Sequence, residues 1–491
     1  MGVPANPTPL QASPGEEHPE QTPEIDVLVV GGGVCGTALL FELARYTDLK
    51  RLTLVERYDR LAAVNSGATN NSQTIHCGDI ETNYSLEKAL AVKRTAEMIV
   101  HYAELLDPAT RDRCVFRMQK MVLAVGEEEC SLLRNRFRRF APHFPAMEFL
   151  EKQQVAEWEP RVALVNGQLR PEPLAAIGIR HAYTAVDYGE LAESFVDQAR
   201  LAMKERPADR GGPGLLDVRL GSTVEQIIPE GERFRVKLRP SSGSSTGGDG
   251  QPCELMARHV VVNAGAHSLL MAQKMGFGLQ YSCLPVAGSF YFTPDLLNGK
   301  VYTVQNDRLP FAAIHGDPDV RSAGKTRFGP TALLLPRLER YRPESFWEFL
   351  SVLRLDGAVL TVLWELLASA DIRDYIIRNL LFEVPGLRRR LFLADARKIV
   401  PEMKLTDLRF AEGFGGVRPQ LIDKVNRKLM LGEASIPAMP GLVFNVTPSP
   451  GATCCLGNAA RDLEAIHERL GCRFDRERLN RELYGRSSAT T

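Results

Sequence analysis

Ile25-Asp26-Val27-Leu28-Val29-Val30-Gly31-Gly32-Gly33-Val34-Cys35-Gly36 decides the fold. A short apolar run ending in three glycines is the pattern of a buried strand that closes in a tight turn. Residues 37–45 have helical character, and Leu52-Thr53-Leu54-Val55-Glu56 reads as a second strand. Together they make a βαβ unit of about 30 residues. Gly31, Gly33 and Gly36 fill the GxGxxG positions, and Glu56 follows Gly36 by 20 residues at the end of the next strand. The first glycine allows the turn, the second lets the backbone approach a pyrophosphate, and the third lets helix rest on strand. The helix N-terminus supplies N–H groups to the anion. Glu56 would accept hydrogen bonds from a ribose and repel a 2′-phosphate. The unit therefore predicts a dinucleotide site.

Three distant segments favour FAD over NAD. Asn70-Asn71-Ser72-Gln73-Thr74-Ile75-His76-Cys77-Gly78 is dense in small polar groups, of which Asn71, Ser72 and Gln73 can line a phosphate-and-flavin channel. Asn263-Ala264-Gly265-Ala266 brings small residues, Gly265 among them, back to a sheet edge where a bulky ring can pass. Pro450-Gly451-Ala452-Thr453 precedes a helical stretch, 456–470, whose N-terminus can meet a flavin carbonyl.

The chain also resembles a known family. The stretches that carry the likeness are Val29-Val30-Gly31-Gly32-Gly33, Asn71-Ser72-Gln73-Thr74-Ile75-His76 and Ile80-Glu81-Thr82-Asn83-Tyr84, then 284–292, 310–318, 329–332, 413–420 and 445–453. They resemble the malate:quinone oxidoreductases, within the wider group of FAD-dependent 2-hydroxy-acid and D-amino-acid oxidoreductases, in a shorter, divergent form. The resemblance implies oxidation of (S)-malate to oxaloacetate by FAD. Electrons would pass to a membrane quinone at the cytoplasmic face, linking the tricarboxylic acid cycle to the respiratory chain. The alternative is the same machinery acting on another 2-hydroxy acid, such as lactate or 2-hydroxyglutarate.

Removing a hydride from C2 of such an acid requires a base for the hydroxyl proton, and imidazole has the right pKa. Of nine histidines, His315 and His76 stand in suitable contexts: His315 in a turn before Gly316-Asp317-Pro318, and His76 in the flavin-contact segment. His315 is the favoured proton acceptor and His76 the second choice; the other orients substrate or tunes the flavin. A dicarboxylate calls for planar, bidentate cations. Arg418, in a glycine-rich turn before Pro419-Gln420, and Arg327, in the strand Thr326-Arg327-Phe328-Gly329-Pro330, are the candidates. With one arginine at the flavin instead of two, a monocarboxylate gains ground. No metal-ligand spacing is present.

The whole chain is consistent with this picture. Its 491 residues, 44% hydrophobic and 24% charged, can bury a large core. Sixty basic residues balance 60 acidic ones, which argues against a nucleic-acid partner. No uninterrupted apolar window of about 18 residues marks a spanning helix. Nine scattered cysteines without a CxxC pair read as reduced thiols in a cytoplasmic setting. The expected fold is α/β (α+β mixed). A Rossmann-like FAD-binding domain uses 25–105, 181–275 and 401–470. It interleaves with a substrate domain, 106–180 and 276–400, built on an antiparallel sheet. Residues 1–24 read as a disordered tail, 471–491 as a C-terminal tail, and 241–250 as a flexible loop. Over 346–400 the pattern is helical, with Phe346, Phe349, Leu350 and Leu353 on one face and Leu360, Leu363, Trp364 and Leu367 on another. Those faces either meet the core or lie on a bilayer, with Arg388-Arg389-Arg390 toward anionic lipid. Oligomeric state is not legible.

Overall fold

The computed structural model describes residues 24–241, 253–305, 314–430, 433–448 and 450–485. The expected N-terminal tail and the low-complexity loop lie outside the described residues, apart from Glu24 and Ser241 at their edges.

Ile25–Val30 pairs in parallel with Arg51–Val55 on one side and Cys253–Val262 on the other. Leu215–Arg219 extends the parallel set beyond Arg51–Val55, and Leu442–Val446 extends it beyond the end of Cys253–Val262. The first half of Cys253–Val262 turns instead to antiparallel neighbours, Arg233–Pro240 and then Ser222–Glu230. Val27, Leu28 and Val29 are all fully buried, as a strand covered on both faces must be, which is why the run reads as uninterrupted apolar residues. The helices Val34–Tyr46, Tyr188–Lys204 and Cys455–Leu470 share one core through Leu39, Phe41, Phe195, Leu456 and Leu463.

A second sheet of eight strands runs Arg409–Phe410, Tyr291–Pro294, Lys325–Gly329, His315–Pro318, Lys300–Thr303, Lys120–Val125, Leu174–Ile179 and Glu148–Glu151. It is antiparallel except where Lys300–Thr303 meets Lys120–Val125. A four-stranded antiparallel sheet places Tyr281–Ala287 against Val417–Asp423, with Val286 opposite Arg418. The two architectures match the interleaved α/β expectation.

Four expectations change. Arg409–Phe410 and Val417–Asp423 both pair with substrate-domain strands, so the chain returns to the nucleotide sheet near Ala434–Met439 rather than at 401. Arg418 and His315 lie on strands, not in turns: Gly316 sits within the strand His315–Pro318, paired with Val301 and Phe328, and Gly415 and Gly416 come just before the strand Val417–Asp423. Part of the expected C-terminal tail is the helix Arg476–Leu483, which buries Leu479 and Leu483 in the first core. Finally, the helices over 345–399 bury only one side. Phe349, Val352, Val359 and Val362 face inward, while Leu360, Leu367 and Trp364, the last 73% exposed, face outward. Among the described residues no helix is long and apolar enough to cross a membrane.

Candidate active site

The nucleotide end is built from backbone. Gly31 has φ +110°, and a Cβ there would sit 2.5 Å from the Asn263 carbonyl oxygen. A Cβ on Gly36 would meet the Gly31 carbonyl at 2.0 Å. Gly33 caps the helix Val34–Tyr46, and the Val34 N–H donates to Ser66 Oγ at 3.0 Å. Glu56 accepts from the Gly32 N–H at 2.7 Å and the Tyr58 N–H at 2.9 Å. Burial raises its carboxyl above the usual range in spite of those two bonds. The turn thus excludes side chains and holds a carboxylate at its edge, which fits an adenosine ribose and pyrophosphate. Gly265, at φ +59°, opens the helix Ala266–Lys274 at the end of the central strand.

The reactive end is a cavity of about 280 Å³ where both domains meet. Asn71, Ser72, His76, His315, Arg418, Pro450, Ala452 and Thr453 line it together, although they come from segments across nearly the whole chain. Strand register explains the convergence: Tyr302 lies opposite His315, and Val286 opposite Arg418. Asn71 holds its own loop, donating to the carbonyls of Asn65, Ser66 and Gly67. The Gln420 Nε2, buried in this wall, has no hydrogen-bond partner among the described residues. A buried donor of this kind is costly unless a ligand satisfies it.

Each imidazole has a carboxylate behind it. His76 Nδ1 lies 2.8 Å from Glu81 Oε1, and its Nε2 lies 3.4 Å from Ser72 Oγ. Burial opposes ionisation of Glu81, but the hydrogen bond and charge of His76, with Lys120, bring its carboxyl below the usual range. His315 Nε2 lies 3.3 Å from Asp317 Oδ1. Its ring stacks on Tyr302 at 4.2 Å, while His76 meets the same Tyr302 edge-on at 6.4 Å. The Tyr302 hydroxyl and Thr74 Oγ1 are 2.7 Å apart, and Tyr188 links the Thr74 carbonyl to Thr453.

The two candidate arginines part company. Arg418 faces the cavity and makes no ion pair among the described residues, and burial pulls its guanidinium below the usual range. Arg327 is fully buried outside the cavity wall. It lies 3.5 Å from both Asp317 and Asp319 and over the Phe290 ring at 4.3 Å. Its strand position opposite Asp317 commits its charge to that pair. Gln73 turns the same way, donating to Asp319 and the Ala68 carbonyl, and also lies outside the cavity wall. Gly451 supports the turn rather than the wall, with its N–H on the Pro448 carbonyl.

Residues that the sequence reading missed are Glu81, Asp317, Tyr302 and Lys88. Asp317 carried a signal: two residues after His315 on a strand, it shares that residue's face. All nine cysteines are unpaired. Among the described residues no His/Cys/Asp/Glu group is arranged to hold a metal.

The chain is similar to known proteins over nearly its whole length. The family described as DAO, FAD dependent oxidoreductase, matches residues 26–463. The probable malate:quinone oxidoreductase of Campylobacter jejuni is 47% identical over 466 residues, 94% of this chain and 99% of that protein. The malate:quinone oxidoreductase of Helicobacter pylori is 42% identical over 463 residues, 94% of this chain and 98% of that one. The solved L-alpha-glycerophosphate oxidase from Mycoplasma pneumoniae with FAD bound shares the fold, at TM-score 0.58 and 18% identity, covering 90% of this chain and 94% of that one. By the family match over most of its length and by its identity to these relatives, the chain belongs to the FAD dependent oxidoreductases and, among them, to the malate:quinone oxidoreductase family.

Proposed function

We propose that this protein oxidises (S)-malate to oxaloacetate with FAD and passes the electrons to a quinone at a membrane surface. The observation that carries the reading is Arg418: a half-buried cation, partly desolvated and with no ion pair among the described residues, in a cavity that also holds two carboxylate-backed imidazoles. An unpaired charge that is partly withdrawn from water carries a desolvation cost, so this site is completed by an anionic ligand. A planar guanidinium suits a carboxylate.

FAD would be held by the turn at 31–36, Glu56 and the segment 450–453, and when bound it supplies the acceptor for the hydride from C2. The chain's own residues do the rest. Glu81 holds the Nδ1–H of His76, which leaves Nε2 to take the hydroxyl proton. His315, fixed by Asp317 and the Tyr302 ring, orients the hydroxyl. Replacing His76 with Asn is expected to lower kcat by about two to four orders of magnitude, the range for loss of a general base. The same change at His315 is expected to cost less.

The half-exposed helices support a peripheral membrane contact on the cytoplasmic face. Trp347 and Trp364 are 70% and 73% exposed, and Leu350, Leu355, Leu360, Leu367, Ile377, Leu380 and Leu387 add to the outward apolar surface. Arginines 388–390 follow at once. Such a surface suits an anionic bilayer. Co-flotation with anionic vesicles, weakened by Trp347→Ser with Trp364→Ser, checks it; unchanged flotation of that double variant contradicts it.

A second reading, a 2-hydroxy monocarboxylate substrate, draws support from the withdrawal of Arg327 from the wall. The deciding experiment is anaerobic addition of (S)-malate to the FAD-loaded protein, followed by a soluble quinone. Loss and return of the visible flavin absorbance is expected. Bleaching by (S)-lactate but not malate would install the second reading.

A further inference from the structure

The cavity wall contains a second cation. Lys88 stands in the first turn of the helix Leu86–Glu104, fixed there because its backbone N–H donates to Ser85 Oγ at 3.2 Å. It is half-buried, lines the same cavity as Arg418, and makes no ion pair among the described residues. Its ammonium lies 4.3 Å from the centre of the Tyr84 ring. The Tyr84 hydroxyl is in turn within electrostatic reach of Arg418. Tyr84, which lines the cavity with them, is thus a neighbour of both cations. Burial pulls the Lys88 ammonium below its usual range, and no carboxylate offsets that. The cavity's own carboxylate, Glu81, is already engaged by His76.

Two desolvated cations share one cavity, and the acid beside them is spoken for. Charge balance then asks for a ligand with two negative charges. We propose that Lys88 binds the distal carboxylate of a dicarboxylic 2-hydroxy acid whose other carboxylate sits on Arg418, and so sets the preference for dicarboxylates. This rests on the malate reading and supplies the partner that Arg327 does not. Lysine is apt for the outer position: a flexible point charge tolerates a carboxylate whose rotation is not fixed by the reacting carbon.

The test uses the FAD-loaded enzyme and its Lys88→Met and Lys88→Arg variants. Steady-state oxidation of (S)-malate and (S)-lactate is measured alongside equilibrium binding of malonate, a dead-end dicarboxylate, by its perturbation of the flavin spectrum. Lys88→Met is expected to raise the malate KM and the malonate Kd by about 10- to 100-fold, as loss of a charged hydrogen bond does. Its kcat should stay within about twofold, because the contact is made equally before and during reaction. Lactate kinetics should not move, and Lys88→Arg should retain malate and malonate affinity. If the wild-type protein oxidises malate and Lys88→Met matches it in KM and malonate Kd, the role of Lys88 is refuted while the malate reading stands. If the wild-type protein does not oxidise malate, both fall.

Discussion

Arg418 and Arg327 invite the same reading in sequence, each an arginine beside glycines and proline, yet they sit in opposite electrostatic settings. Arg327 lies in a buried lattice of two carboxylates, Asp317 and Asp319, with Lys300 beside Asp317 at 3.4 Å. Among the described residues Arg418 makes no ion pair, and the phenols Tyr84 and Tyr375 act on it. The first is a closed account of charge, and the second leaves one positive charge for a ligand. What separates a structural cation from a binding one is therefore whether the protein supplies its counter-ion, a property of strand register rather than of residue type.

That contrast can be broken at either end. The largest effect is expected from Arg327→Met, which takes away the cation shared by Asp317 and Asp319 and leaves Lys300 beside Asp317 and Gln73 beside Asp319. Breaking a buried pair of this kind costs about 3–5 kcal/mol, read as a lowered denaturant midpoint. An unchanged midpoint would mean the lattice is not the stabilising unit described. Arg418→Met should do the reverse: kcat/KM for (S)-malate falls by about a hundredfold, while the unfolding midpoint holds or rises as an unpaired, half-buried charge is removed. A stability loss matching that of Arg327→Met would erase the distinction.

The smallest effect concerns pH and the strand that carries Lys300. Glu159 accepts from the Asn298 and Gly299 N–H groups and from Gln119, just before Lys300–Thr303. Burial, opposed by those bonds, raises its carboxyl from 4.5 to about 7. A raised carboxyl means that between these values the unfolded chain is ionised while the folded one stays protonated. Stability therefore falls as pH rises through that window, is unaffected below it, and keeps the full loss above it. Glu159→Gln should lack this component, which amounts to roughly 2–3 kcal/mol between pH 4.5 and 7. Parallel stability–pH curves for the two proteins would contradict it.

Much of the nucleotide half was legible because its constraints are local. The glycine spacing and Glu56 follow from backbone sterics within about 30 residues, and the helix expected over 456–470 is Cys455–Leu470. The reactive half was legible in residue type but not in setting. His76, His315 and Arg418 converge as their chemistry suggested, yet Glu81 behind His76 was not anticipated, and the exclusion of Arg327 depends on Asp317 lying opposite it. Nothing nearby in sequence marks that pairing. The helical segment shows a third kind of limit. Periodicity grouped Leu360, Leu363, Trp364 and Leu367 of Gly357–Ala368 on one face, but Leu363 packs against Val359 and Val362 while the other three point away from the core.

The central claim, that Arg418 holds the carboxylate of the acid being oxidised, is tested most directly by anaerobic reduction of the bound flavin. Wild-type and Arg418→Met proteins, each loaded with FAD, are mixed with the same (S)-malate concentration, and the absorbance decay is followed in a stopped-flow instrument. Rapid bleaching of the wild type, with a decay roughly a hundredfold slower in the variant at subsaturating malate, is the predicted result. Equal decays in the two proteins would contradict it.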